Sequence, residues 1–262
     1  MINIDQSAQF LFSNRQTHSV VDNIPEALYP ESMDEAYLVQ ARLVSLLLNQ
    51  NNSTSCGYKL ACTNSRVMKL LGVNGPLSGR MLSHSTHKNA ATLRTDDFFR
   101  RIVELEFAFI MEKDVPTSHE PYNASTIIPY IGNFIPGLEI VDHHYTDFTK
   151  VGANALIADN AIHGASILGN GVPKWQSIDL SGHQVQLIVN NSLFSQGTGK
   201  NVLDSPLNVM AWLANHLQSR GIGLKSGDLV TTGTACEIYE AEKGDKVLAD
   251  FGELGSVSAS FV

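Results

Sequence analysis

Two glutamates, Glu104 and Glu106, lie inside an apolar stretch at residues 101–110. The apolar residues of this stretch are β-branched, aromatic or leucine, a composition that predicts a buried strand. Side chains two positions apart on a strand point to the same face, so both carboxylates enter the same space. Two ionised carboxylates among apolar neighbours repel each other and lose hydration. Either one of them holds a proton at a strongly raised pKa, or a cation lies between them.

An exposed edge strand on which both glutamates are solvated is the competing interpretation. The neighbours on the strand argue against full solvation, since they are the apolar residues Ile102, Val103, Phe107 and Phe109. A buried acidic site is therefore the favoured interpretation.

A third carboxylate, Asp142, ends a second apolar segment at residues 136–142, which also predicts a strand. Three carboxylates with open positions suit a hard divalent cation such as Mg²⁺ or Mn²⁺, which prefers oxygen ligands. Zinc fits less well, because the sequence has no Cys/His cluster with zinc-type spacing. We therefore expect Glu104, Glu106 and Asp142 to converge on one divalent cation.

Lys59 is the only charged residue in residues 57–63, a weakly alternating segment that predicts a strand. A lysine buried there is costly unless its ammonium meets an anion. No acidic residue lies within several positions, so the anion would come from a distant segment. The alternative is a surface lysine whose stem covers apolar residues while its ammonium reaches water.

The surrounding elements predict a β-rich α+β domain. A capping box at residues 32–35 opens a helix after a mixed segment at residues 1–30, and Ser205-Pro206 opens a late helix. Residues 75–79 are read as a turn and residues 83–97 as a polar loop. Further strands are predicted at residues 163–168, 178–194, 228–232, 246–251 and 256–262.

Composition limits the class of protein. The chain has 262 residues, 43% of them hydrophobic, which is enough for one large domain with or without a small N-terminal appendage. Its formal charge is −8. Its acidity and the lack of a basic run argue against nucleic acid and anionic membrane as partners. The sequence contains no bilayer-length apolar run and no signal peptide, and its three cysteines fit reduced thiols, so we expect a cytoplasmic protein.

Several segments, in this order, resemble the 2-keto-4-pentenoate hydratase / 4-oxalocrotonate decarboxylase family of the fumarylacetoacetate hydrolase superfamily. They are Gly57-Tyr-Lys-Leu-Ala61, Glu104-Leu-Glu106, Leu138-Glu-Ile-Val-Asp142, Ala158-Asp-Asn-Ala161 and Leu254-Gly-Ser-Val-Ser-Ala-Ser-Phe261. The resemblance implies a mixed β-sandwich roll with N-terminal helices, divided into an N-terminal region at 1–75 and a catalytic domain at 76–262. It also implies a homo-oligomer, with association to a related pathway enzyme as a further option.

The same resemblance implies roles for individual residues. Glu104, Glu106 and Asp142 would hold Mg²⁺ or Mn²⁺, and Lys59 would be the active-site lysine. Substrate would be bound by Leu60, Asn160 and Thr234.

The activity implied is a hydratase of aromatic meta-cleavage catabolism, which adds water to a 2-keto-4-enoate and yields a 4-hydroxy-2-keto acid. Family hydratases often carry Pro-Asp-Tyr-Gly where this chain has Pro76-Leu-Ser-Gly79, so Leu77 replaces an acidic residue and a 4-oxalocrotonate-type decarboxylase remains an alternative. An acylpyruvate C–C hydrolase is a third possibility; His84 or His87 could supply its histidine, without an evident glutamate partner. A non-catalytic partner subunit is the fourth.

Overall fold

A computed structural model describes residues 2–262, except for the side chains of Arg66 and Leu70. In this range the strands form two sheets. The strand bounds are β1 Ser55–Ala61, β2 Leu77–Leu82, β3 Thr86–Lys88, β4 Ala90–Leu93, β5 Ile102–Met111, β6 Ile131–Val141, β7 His163–Leu168, β8 Gln184–Val189, β9 Ser192–Thr198, β10 Leu229–Thr234, β11 Tyr239–Glu240, β12 Lys246–Asp250 and β13 Ser256–Phe261.

The larger sheet has the order β2-β1-β10-β5-β6-β7-β3, with β11 also pairing with β5. Its centre is the long antiparallel pair of β5 and β6, in which Glu104 lies opposite Glu139 and Phe109 lies opposite Phe134. β10 pairs antiparallel with β5 on the other side and parallel with β1. This order brings β1, β10, β5 and β6 side by side, so residues from distant parts of the sequence share one face.

The smaller sheet has the order β4-β13-β12-β8-β9 and packs on the larger one. Aromatic side chains fill the space between them: the ring of Phe107 lies 5.8 Å from that of Phe134 and 5.4 Å from that of Phe251. Alternating residues of β8, Val185, Leu187 and Val189, are buried in the same core. The predicted β-rich α+β roll is confirmed.

The helices are α1 Ile4–Thr17, α2 Met33–Gln50, α3 Ser65–Leu71, α4 Ala124–Ile127, α5 Ala153–Ala158 and α6 Pro206–Ser219. The predicted start of α2 is confirmed, since the Ser32 hydroxyl accepts a hydrogen bond from the Glu35 amide. α1, α2 and α5 form a second apolar cluster beside the sheet. None of the helices in the described range is long and apolar enough to cross a membrane.

Two local predictions were wrong: the predicted turn at 75–79 runs into β2, and the polar loop 83–97 contains β3 and β4. The mixed segment 1–30, for which no single element was predicted, contains α1. For the strands the partner is distant in sequence: β3 pairs with β7, and β4 pairs with β13. The larger sheet also runs across the predicted domain boundary at residue 75, because β1 lies inside it between β2 and β10.

Candidate metal centre

Three carboxylates meet on one face of the larger sheet. Glu104 and Glu106 share a face of β5, as expected two positions apart, and Glu139 lies directly across from Glu104 on β6. One oxygen from each of Glu104, Glu106 and Glu139 lies within 4.8 Å of the other two. Glu106 and Glu139 are fully buried and Glu104 is partly buried. The register of two antiparallel strands therefore builds an acidic cluster inside the protein.

The three carboxyl groups differ in their pKa values. Burial raises the pKa of Glu104 to about 7, and the nearby Glu139 carboxylate adds to the rise. Burial and the same carboxylate raise the pKa of Glu106 well above its ordinary range. Burial acts on Glu139 in the same direction, but the Lys59 ammonium and His163 outweigh it and lower the pKa of Glu139 to about 2. In the absence of a cation, Glu139 therefore ionises first as the pH rises, and it is fully ionised at neutral pH.

The carboxylates present oxygens as metal ligands would. Glu106 Oε2 accepts a hydrogen bond from the Gly233 amide at 2.5 Å, and His163 Nδ1 lies 2.8 Å from Glu139 Oε1. Among the described residues, the buried oxygens Glu106 Oε1 and Glu139 Oε2 have no hydrogen-bond partner. Each of these two carboxylates is thus held by one oxygen and offers the other, and this all-oxygen donor set fits Mg²⁺ or Mn²⁺.

Gly233 is fixed by close packing on this site. Its φ of +88° lies in the region that favours glycine, and a Cβ there would stand 2.1 Å from Thr63 Oγ1. A larger residue would push apart β10 and the segment that follows β1. The Gly233 amide could then no longer reach Glu106.

The structure does not place Asp142 with Glu104 and Glu106. Asp142 follows the last residue of β6, and its Oδ1 accepts hydrogen bonds from the amides of Phe99 and Arg100 at 3.1 and 2.8 Å. It lies three positions beyond Glu139, and residues an odd number apart on a strand point to opposite faces. The prediction that Asp142 converges with the two glutamates was therefore wrong, and Glu139 takes that place.

Lys59 lies beside this cluster. Its side chain is 1% exposed, and its Nζ lies 3.2 Å from Glu139 Oε1 and donates to the Ala161 carbonyl at 3.1 Å. Burial lowers the pKa of Lys59, but the carboxylates of Glu139, Glu104 and Glu106 outweigh it, so the pKa is raised. The alternative interpretation of Lys59 as a surface lysine was wrong, because its ammonium is buried beside carboxylates that balance its charge.

A cavity opens from Lys59 and Glu104, and most of its wall is apolar. Leu77 is one of the wall residues. The apolar part of the wall includes Leu71, Leu77, Ile102, Phe148, Leu156 and Ile238. A small organic molecule that enters this cavity would meet the charged groups at one end and hydrocarbon along its length.

The three residues predicted to bind substrate have different positions. Thr234 lines the cavity, next to Gly233. The side chains of Leu60 and Asn160 are not part of the cavity wall. Leu60 is buried in the main core, on the strand face opposite Lys59, and Asn160 holds β2 through two hydrogen bonds to the backbone of Arg80, at 2.7 and 2.9 Å. The structure thus places neither side chain in the cavity wall, and substrate binding by Leu60 and Asn160 stays a prediction.

Replacing Glu106 by glutamine should raise the Tm in metal-free buffer. A carboxyl group whose folded pKa lies above its ordinary value of 4.5 costs stability as the pH rises through that value, because the unfolded chain ionises more readily. The gain should be present near pH 8 and vanish near pH 4, as thermal unfolding at both values can measure. Glu112→Gln, an exposed residue just after β5, is the control and should change little. A lower Tm for Glu106→Gln near pH 8 would contradict this account of the cluster.

Comparison with known proteins identifies what this arrangement is similar to. The sequence profile described as the fumarylacetoacetate (FAA) hydrolase C-terminal domain matches residues 82–262, well over half of the chain. The 2-oxo-hept-4-ene-1,7-dioate hydratase of Escherichia coli is 29% identical over 244 residues, covering 89% of each protein. The 4-oxalocrotonate decarboxylase of Pseudomonas putida is 26% identical over 245 residues, covering 94% of this chain and 90% of the relative.

A solved structure has the same fold along the whole chain. It is a 4-oxalocrotonate decarboxylase from Pseudomonas putida G7, complexed with magnesium and adipate. The TM-score is 0.91 at 23% identity, covering 99% of this chain and 97% of the other. At that identity the match establishes the fold, including the N-terminal helices that lie outside the profile match.

Proposed function

Since this chain belongs to the fumarylacetoacetate hydrolase family, we propose that it is a divalent-metal-dependent hydratase of 2-keto-4-enoates. It would add water to a substrate of the 2-hydroxypenta-2,4-dienoate type and release a 4-hydroxy-2-keto acid. The observation that carries the proposal is the buried group of Glu104, Glu106 and Glu139 with Lys59 beside it. The family resemblance drawn from the sequence is confirmed. Relatives named as hydratases and as a decarboxylase support an enzyme of this family.

The proposed reaction is a proton shift followed by addition of water. A divalent cation held by the three glutamates would supply charge that stabilises the enolate of a 2-keto acid. The hydroxyl proton of the dienol leaves and a proton is added at C5, which gives the 2-keto-3-enoate. Water then adds across the remaining double bond, with hydroxide bonding to C4 and a proton to C3. The product therefore differs from the substrate by one molecule of water.

The chain's own residues would orient and protonate the substrate. The positively charged side chain of Lys59 lies beside the acidic group. Glu139 Oε1 and the Ala161 carbonyl hold its ammonium in place. That position suits either a proton donor or an anchor for the substrate carboxylate. The apolar wall would exclude bulk water from the hydrocarbon part of the substrate, while Thr234 offers a hydroxyl near the charged end.

Decarboxylation of a 4-oxalocrotonate-type substrate is a second candidate, and Leu77 is the observation that favours it. Loss of CO₂ leaves the electron pair of the broken C–C bond in the same enolate, and a proton then replaces the carboxylate on carbon. That sequence needs no group to activate water, whereas hydration does. An apolar residue at position 77 of the cavity is compatible with decarboxylation without further help and gives hydration no base there.

An acylpyruvate hydrolase and a non-catalytic subunit have less support. In the described structure the cavity wall contains no histidine, and His84 contacts Ser53 on the surface instead, with Nδ1 3.1 Å from Oγ. An acylpyruvate hydrolase would therefore lack the histidine expected to activate water. A non-catalytic subunit would have no need for three converging carboxylates and a buried lysine.

The test is to supply 2-hydroxypenta-2,4-dienoate and 4-oxalocrotonate separately, with Mg²⁺ or Mn²⁺, and to measure both water addition and CO₂ release. We expect the dienoate to give a 4-hydroxy-2-keto acid without CO₂. Predominant CO₂ release from 4-oxalocrotonate would establish the second candidate. Turnover of neither substrate by the metal-loaded protein would refute both.

Leu77→Asp should shift the balance toward hydration. The aspartate would place a base in the cavity wall where Leu77 now leaves only hydrocarbon, and a positioned base contributes about 10²–10⁴-fold to such steps. The ratio of water addition to CO₂ release measures the effect. Leu77→Asn has the same shape without the charge and is the control. An equal ratio in both variants would show that position 77 does not decide the outcome.

The substrate of such an enzyme would be a small 2-keto acid. The chain would act as a homo-oligomer in the cytoplasm, with association to a related pathway enzyme as an option. Sedimentation of the purified protein, alone and with such an enzyme, tests the assembly.

A further inference from the structure

Two contacts of the candidate site come from one short segment, residues 159–163. The carbonyl of Ala161 accepts the hydrogen bond from Lys59 Nζ. The imidazole of His163, two residues later, lies 2.8 Å from Glu139. The position of this segment therefore sets the direction of the lysine and of one carboxylate together.

The backbone of this segment is strained. Asn160, Ala161 and Ile162 have φ values of 54°, 49° and 52°, in the left-handed region that L-residues avoid. The strain is greatest for the β-branched Ile162. Such a conformation persists only where the surroundings hold it, so the contacts that fix this segment carry structural weight.

Arg15 of α1 holds both ends of the segment. Its Nε donates to Asp159 Oδ1 at 2.8 Å and its Nη2 to the Asp159 carbonyl at 2.9 Å. Its Nη1 donates to the His163 carbonyl at 3.1 Å. The side chain of Arg15 is 12% exposed and that of Asp159 is 3% exposed, so this ion pair is largely shielded from water. Asn160 fixes the middle of the segment to β2, but only Arg15 among these contacts bridges its first and last residues.

We propose that Arg15 is a positioning residue of the active site. By bridging Asp159 and His163 it fixes the carbonyl that directs Lys59 and the imidazole that directs Glu139. The catalytic part of this inference rests on the proposed function, while the clamp itself rests on geometry alone. Arg15 lies on a helix well before residue 82, where the family profile match begins, so it adds a contribution from outside that domain.

Arg15→Lys is the sharpest variant. It keeps a positive charge beside the buried Asp159, which limits the damage to folding, but an ammonium lacks the planar fork that reaches two carbonyls. We expect a folded protein whose Kd for Mn²⁺ rises by about 10-fold, the lower end of the range for residues that orient metal ligands. The kcat should also fall at saturating Mn²⁺, because Lys59 loses its fixed acceptor.

Arg42→Lys is the matched control. Arg42 Nε donates to Asp5 Oδ1 at 2.6 Å and joins α2 to α1, but its side chain is 44% exposed and lies away from residues 159–163. The same chemical change on the same pair of helices should leave the Kd for Mn²⁺ and kcat at wild-type values.

Backbone amide exchange provides a readout that needs neither metal nor substrate. The amide of Ile162 donates to the Asp159 carbonyl at 2.9 Å inside the clamped segment, and it should exchange faster in Arg15→Lys than in wild type or Arg42→Lys. Unchanged exchange at 159–163 would overturn the clamp. A lower Tm with wild-type Kd and kcat would overturn the positioning role and leave Arg15 as a stabilising residue. If wild type neither binds Mn²⁺ nor turns over a 2-keto acid, the proposed function fails, and the exchange comparison still decides the clamp.

Discussion

Glu139→Gln is expected to weaken Mn²⁺ binding by at least ~100-fold, beyond the usual effect of an outer-sphere change, and to abolish metal-dependent turnover at millimolar metal. The substitution keeps the size of the side chain but removes the carboxylate whose pKa is lowered to about 2 and which is therefore ionised at neutral pH. It also leaves the buried Lys59 ammonium without its nearest anion, 3.2 Å away, so a lower Tm should accompany the lost affinity. Titration with Mn²⁺ followed by paramagnetic resonance measures the affinity directly.

Asp142→Asn is the matched control, because Asp142 directly follows the strand that carries Glu139 and the change again replaces a buried carboxylate by its amide. Its Oδ1 serves the amides of Phe99 and Arg100, and an asparagine oxygen can accept the same bonds. We expect the Kd for Mn²⁺ to stay within about twofold of wild type, well below the ~10-fold cost of even an outer-sphere change. If Asp142→Asn loses the metal while Glu139→Gln retains it, the ligand set suggested by the sequence is right and the one proposed from the geometry is wrong.

The acidic pair on β5 could be predicted because it depends on one strand. The apolar neighbours of Glu104 and Glu106 indicate burial, and their spacing places both side chains on the same face. The third carboxylate depends on how β5 pairs with β6, and pairing between strands separated by residues 112–130 leaves no local signal. Asp142 stands out because it ends an apolar run, yet its distance of three residues from Glu139 puts it on the other side. Counting positions along 136–142 places Glu139 and Asp142 on opposite faces of the strand. It does not show which of these faces meets Glu104 and Glu106.

The fold class could be predicted because several strands alternate clearly between apolar and polar residues, and β2 was missed because it does not. Strands such as β8 and β13 alternate clearly between buried and exposed residues, so their type is visible in the sequence. β2 contains Ser78, Gly79 and Arg80, follows directly on Gly75-Pro76, and is held by pairing with β1. α1 buries Ser7 and Asn14 beside Ala8 and Leu11, so its inner face is too mixed for a periodicity argument. The Arg15 clamp was out of reach because it needs that helix to be known first.

Lys59→Met is expected to reduce kcat by about 10²–10⁴-fold, the range for a positioned acid or base. Methionine fills the buried space without a charge, so the fold should survive. The Kd for Mn²⁺ should change little, because Lys59 lies against the cluster without offering it an oxygen. Steady-state kinetics at saturating Mn²⁺ separate a loss in kcat from a loss of metal.

Lys59→Arg distinguishes a proton shuttle from an anchor. A guanidinium keeps its proton at any working pH, so it should fail to restore kcat if Lys59 moves a proton. If Lys59 only binds the substrate carboxylate, KM should rise in Lys59→Met while kcat holds, and arginine should recover much of the binding. The Ala161 carbonyl and Glu139 Oε1 direct a single ammonium from two sides, an arrangement that a planar fork cannot copy in the same space. Wild-type kcat and KM in Lys59→Met would remove this lysine from the reaction and leave it as the counter-charge of a buried carboxylate.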